Sequence, residues 1–121
     1  MGQGADANTK VDEIAEGIYR FSTPLPPGAI PGGFTFNQYL IVDEDPLLFH
    51  TGPRGLAPAV LGAIGRVMPI AKLRWISFGH VESDECGGLN ALLAAAPMAQ
   101  PLCGPLQAMI SMNDLADRAP R

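Results

Sequence analysis

Histidine and cysteine are scarce in this 121-residue chain: His50 and His80, Cys86 and Cys103, and no others. Two cysteines cannot make the multi-bridge framework of a small secreted domain. A zinc site needs at least three protein ligands, more than the two histidines supply. Positive charge is also short, with 8 Lys and Arg against 12 Asp and Glu, which leaves no electrostatic footprint for nucleic acid. No apolar run approaches the ~20 residues of a membrane-crossing helix, so no membrane partner is expected. The opening MGQGADANTK lacks the apolar stretch of a secretory signal, and cytoplasmic localisation is the expectation.

Glycine and proline are plentiful, 14 and 12, and they punctuate short elements along the chain. Apolar content of 47% suits one small globular core. Residues 1–9 are small and polar and read as a flexible tail; residues 10–121 read as one domain. Segments 10–15 and 17–23 read as strands about a Glu16-Gly17 turn, and 34–42 and 47–49 as a second pair about an acidic turn. The proline-rich stretch 24–33 between them reads as a loop that could border a pocket. Segment 53–68 reads as a helix. Pro58 suits its first turn, Val60, Leu61, Ile64 and Val67 form an apolar stripe, and Gly62 and Gly65 would admit it close to a sheet. A strand over 73–79 follows, then a helix over 84–96 with Leu89, Leu92, Leu93 and Ala96 inward, and a short strand over 100–103. Gly104-Pro105 opens a last helix whose apolar residues are Leu106, Met109, Ile110 and Met112, both methionines as core filler. The strand–helix–strand order implies parallel neighbours in one mixed sheet, hence an α/β fold.

The chemistry concentrates where the 73–79 strand ends. The run LRWISFGHVESDECGGLNALLAAA, residues 73–96, passes from an apolar strand into His80, Glu82, Asp84 and Glu85, then Cys86-Gly87-Gly88, then an apolar helix. In an extended segment the two-residue spacing places His80, Glu82 and Asp84 on one side. Three acids within four positions repel one another unless a cation or solvent screens them. Imidazole with carboxylates suits zinc, iron or manganese. The site lies past the carboxyl end of a parallel strand, where open α/β sheets bind ligands. Cys86, close to a helix start, is open to two readings: a thiol of lowered pKa or a small packed side chain.

This run resembles the H-x-H-x-D-H-x-G-G signature of the metallo-β-lactamase fold. His80 matches the first His, Asp84 the Asp, and Gly87-Gly88 the glycine pair. Glu82 stands where most members carry the second His, as in the H-x-E-x-D-H form of the oxygen-binding, flavodiiron-like diiron branch. Glu85 stands in the last His position, to ligate as a carboxylate or to leave that place to water. The resemblance implies the N-terminal half of an αββα sandwich, a mixed sheet with helices on one face. His50 takes the place of the Asp in a turn of Asp-Thr-Gly type, and so is expected behind the metal ligands. The family's second half, with another sheet and further His and Asp ligands, has no counterpart in the sequence. A partial domain with its outer sheet face uncovered is therefore expected.

What the resemblance implies for function is a metal-binding protein, a fragment of a non-haem diiron protein handling O2 or NO. Complete members carry two Fe ions, in this chain incomplete or absent, and take electrons from a redox partner. Two alternatives stay open: a zinc-dependent metallo-hydrolase of the same fold acting on a hydrolysable small molecule, and an inactive remnant or interaction module.

Overall fold

A computed structural model describes residues 8–25 and 33–121. Most of the expected tail and most of the 24–33 loop lie outside the described residues. Six strands form one sheet in sequence order: β1 (Lys10–Ala15), β2 (Ile18–Pro24), β3 (Thr35–Ile41), β4 (Leu47–Phe49), β5 (Trp75–Ser77) and β6 (Gln100–Leu102). β1 to β4 pair antiparallel; β4, β5 and β6 run parallel. The helices are α1 (Ala57–Val67), a single turn α2 (Ser83–Cys86) and α3 (Leu89–Ala95). The C-terminal segment is α4 (Pro105–Gln107), a π turn (Ala108–Met112) and α5 (Asn113–Leu115).

The mixed sheet expected from the strand–helix–strand order is present, with α1 and α3 as the two crossovers. Strand alternation builds the core. Phe21, Leu40, Leu48 and Ile76 are fully buried on one side. Val60, Ile64, Leu92 and Leu93 of the helices close over them. On the other side Tyr39, Phe49 and Trp75 are half-buried and Ile41 is exposed. Thr9, expected in the tail, is buried, and its hydroxyl meets that of Thr23 at 2.7 Å.

Three local expectations change. α1 meets the sheet through Ala57, Ala59, Val60, Ala63 and Ile64; Leu61 and Val67 are half-buried, and Gly62 and Gly65 face solvent. Alanines, not glycines, set the close approach. The expected 84–96 helix is broken after Cys86, and only its second part carries the buried leucines Leu89, Leu92 and Leu93. In the C-terminal segment Met112 is buried at 1%, whereas Leu106, Met109 and Ile110 stand 64–69% exposed. The π turn inserts an extra residue per turn, so a stripe counted at 3.6 residues drifts off the buried side.

The sheet ends in two protected rims. β1 carries Lys10, Asp12 and Glu13. β6 carries Pro101, which suits an edge strand because it has no N–H to give; its carbonyl accepts the Arg121 N–H at 2.9 Å.

Candidate metal centre

Two turns leave the sheet side by side, from the carboxyl ends of the parallel neighbours β4 and β5. The first is His50, Thr51 and Gly52. The second runs from Gly79 to Gly88. They are tied at the strand ends by the His50 N–H to the Ser77 carbonyl, 2.8 Å. Further out, the Thr51 N–H reaches the Glu85 carbonyl at 2.7 Å. The Gly88 N–H is shared between the Gly52 carbonyl at 3.1 Å and the Thr51 hydroxyl oxygen at 3.0 Å. That hydroxyl in turn donates to the Gly52 carbonyl at 2.7 Å.

Gly87, first of the glycine pair, is what permits this contact. A Cβ on Gly87 would lie 2.5 Å from the Ser83 carbonyl oxygen, 3.0 Å from the Arg54 nitrogen and 3.1 Å from the Pro53 Cα. All three are backbone atoms with no rotamer in which to retreat. On Gly88 it would only reach ordinary contact with Thr51 and Ala57, so Gly87 is the position that demands glycine.

After β5 the chain curls at His80, whose carbonyl accepts the Glu82 N–H at 3.0 Å. It then winds into α2, with the Cys86 N–H on the Glu82 carbonyl at 2.9 Å. The segment is therefore not extended, and the two-residue alternation of His80, Glu82 and Asp84 does not hold. The side chains that converge are Glu82, Asp84 and Glu85: each offers a carboxylate oxygen within 4.8 Å of the others. Among the described residues this is the one cluster of three or more such groups. Glu82 and Asp84 are exposed, so solvent screens their repulsion.

His80 stands outside this trio. Its ring is 79% exposed, with Nδ1 3.8 Å from Glu85 Oε2. Glu85 is the hub instead, its side chain only 12% exposed. Its Oε1 accepts the His80 backbone N–H at 2.5 Å and faces His50 Nε2 at 3.3 Å. That backbone N–H, above all, holds the Glu85 carboxyl below the usual carboxylate range; the charges of His50 and His80 and a bond from Glu82 add to this, and burial opposes it.

His50 sits at φ 70°, the left-handed region that few non-glycine residues enter, His more often than most. Its ring stacks on Phe49 at 4.2 Å. Nε2 also receives the Gly79 N–H at 3.3 Å. The two contacts are alternatives: an unprotonated Nε2 accepts from Gly79, a protonated one pairs with Glu85. Burial pushes the Cys86 thiol up, and Glu85 and Asp84 push it further. A backbone bond at Glu82 works the other way, and the balance favours the reading of Cys86 as a packed side chain. A cleft of about 270 Å³ lies between the carboxylate turn and the C-terminal segment, lined by Val81, Glu82, Cys86, Leu89, Met112 and Leu115.

The donor set is oxygen-rich, three carboxylates with an imidazole beside them, which favours iron or manganese over a thiolate-seeking ion. The residues fit one side of such a centre. The His50 ring lies against Glu85, and the Thr51 clamp on Gly88 is a contact that the sequence reading does not contain. The polar Thr51 beside a glycine was its only signal.

No protein-family profile matches the chain. Among curated relatives it is 31% identical over 71 residues to a nitric oxide reductase from Moorella thermoacetica, covering 59% of this chain and 18% of that protein. It is 35% identical over 65 residues to a rubredoxin-oxygen oxidoreductase from Megalodesulfovibrio gigas, covering 54% and 16%. The chain thus spans less than a fifth of the length of either relative. Among solved structures, a flavodiiron core from Synechocystis superposes with a TM-score of 0.77 at 20% identity, covering 94% of this chain and 31% of the other. A metallo-β-lactamase from Cronobacter sakazakii superposes at 0.66 and 20% identity, covering 83% and 36%. The chain carries part of the metallo-β-lactamase fold, and within that fold it resembles the flavodiiron proteins.

Proposed function

We propose that the chain is the N-terminal part of a non-haem diiron protein that handles NO or O2, and that it supplies one side of the metal centre. Glu82 and Asp84 are the ligands it presents to solvent, with Glu85 completing the carboxylate focus and His80 swinging in from its exposed position. His50 stands behind Glu85 and fixes its carboxylate. When bound, a pair of iron ions supplies the redox chemistry by which NO or O2 is reduced, with electrons from a separate redox partner. The observation that carries this reading is the convergence of Glu82, Asp84 and Glu85 at the carboxyl end of β5, in a fold shared with flavodiiron cores. The two relatives named above bear on the substrate: one is a nitric oxide reductase, the other an oxygen oxidoreductase. In this chain α2 positions the carboxylates, and the turn at residues 50–52 holds α2.

Titration with Fe(II) under anaerobic conditions, and with Zn(II), tests this. Micromolar or tighter Fe(II) binding, weakened at least tenfold by Glu82→Gln and by His80→Ala, is the expected result. Zn(II) bound more tightly than Fe(II) would favour the metallo-hydrolase reading, in which the metal acidifies a water for attack on an ester or amide. Absence of binding for both metals would overturn the metal reading. The exposure of Glu82 and Asp84, together with a count of only two histidines, is what supports that remaining reading, an inactive remnant or interaction module.

A further inference from the structure

A wholly buried polar residue with no partner lies not in the carboxylate turn but against the turn that holds it. Gln38, on β3, is wholly buried on the helix-covered side of the sheet, paired across from Phe21 and in line with Phe36 and Leu40. Neither its amide nitrogen nor its amide oxygen has a hydrogen-bond partner among the described residues. An apolar residue of the same length would avoid that desolvation cost. Its surroundings single out one neighbour. β3 runs past the end of β4, so Gln38 lies under the turn at residues 50–52. A Cβ on Gly52 would come within 3.0 Å of Gln38 Nε2.

That same turn carries a second cost. His50 is held at φ 70° and Gly52 at φ 77°, and a non-glycine residue in this region is strained. The turn also holds the Gly88 N–H through both the Gly52 carbonyl and the Thr51 hydroxyl. Two unfavourable features, an unpaired buried amide and a left-handed histidine, therefore meet at the piece of backbone that fixes the carboxylate turn. Gly52 already lies against the amide, so the amide gains a partner only if the turn reorients a backbone group onto it.

We propose that Gln38 is a positioning residue for the carboxylate turn: its amide is paired only when the turn at residues 50–52 moves, and cation binding at Glu82, Asp84 and Glu85 draws the turn into that paired position. Gln38 touches neither metal nor substrate; it acts through Gly52 and Gly88. The cation arm rests on the metal-centre reading above; the motion of the turn does not.

The test compares the full chain with Gln38→Met, of similar length and without polar atoms, and with Gln38→Leu should the methionine variant fold poorly. In the metal-free chain the substitution removes the unpaired amide, so the melting temperature rises by about 3 °C or more. The amides of Thr51 and Gly88 exchange with solvent at least about tenfold more slowly than in the wild type, while the β2–β3 ladder is unchanged. Co(II), used as a spectroscopic probe, binds about tenfold more weakly, the usual size of an outer-shell effect. A lowered melting temperature in both variants, or equal exchange of Thr51 and Gly88, overturns the proposal. So does Co(II) affinity unchanged from a wild type that binds it. A wild type that does not bind Co(II) counts against the metal reading and the cation arm, and the exchange rates then decide whether Gln38 controls the turn.

Discussion

Glu85 draws its contacts from parts of the chain that its own segment does not reveal. The motif put it in the slot of a histidine, and the open choice was between ligand and bystander. Its carboxylate instead accepts the His80 N–H and faces His50, a contact between residues 35 positions apart in sequence that no local pattern announces. The shift in its acidity has a definite sign. The folded carboxyl is the stronger acid, so on acidification the unfolded chain takes up the proton first, near the ordinary value of about 4.3. Stability contributed by Glu85 is present above that value and is lost as pH falls through the lower folded one. Urea midpoints measured from pH 6 to pH 3 are expected to fall less steeply in Glu85→Gln than in the wild type. Gly87 is the opposite case, legible from the start as part of a glycine pair but with a reason visible only in space. Gly87→Ala sets a methyl against three backbone atoms and is expected to cost about 1–3 kcal/mol by urea denaturation. Metal affinity is expected to fall with it, because α2 has to lift from the turn beneath it.

At the scale of elements, the strands and both crossover helices were legible because period-2 and period-3.6 patterns report burial directly. The carboxylate segment was not, because a strand-like alternation of His80, Glu82 and Asp84 looks the same in sequence whether the chain stays extended or curls into α2. The apolar stripe of α1 holds, with Val60 and Ile64 fully buried and Leu61 and Val67 packed against the core; what bulk does not announce is that its alanines complete the contact with the sheet. Ala63→Leu, at a site with no exposure, is therefore expected to destabilise the fold by about 1–3 kcal/mol, read from thermal or urea unfolding. The π turn misled the reading of the C-terminal segment. Met112→Ala is expected to cost about 2–5 kcal/mol, since Met112 alone among Leu106, Met109, Ile110 and Met112 reaches the core.

For the whole molecule, the fold class was legible, and so was its being part of a larger fold. The exposed apolar residues have a measurable consequence. Leu106, Met109 and Ile110 stand open beside the carboxylate turn, joined to it by the Gln107 amide donating to the Gly79 carbonyl at 3.4 Å. Ile110→Lys is expected to leave stability within about 0.5 kcal/mol of the wild type, while lowering the fluorescence of a hydrophobic dye bound to the native protein. A large loss of stability would instead return Ile110 to the interior.

Pro101 and Arg121 together close the outer edge of the sheet at β6. At that point of the outermost strand there is no amide hydrogen to offer, and the neighbouring oxygen is already taken by the chain's own tail. An incoming strand would find nothing to zip onto.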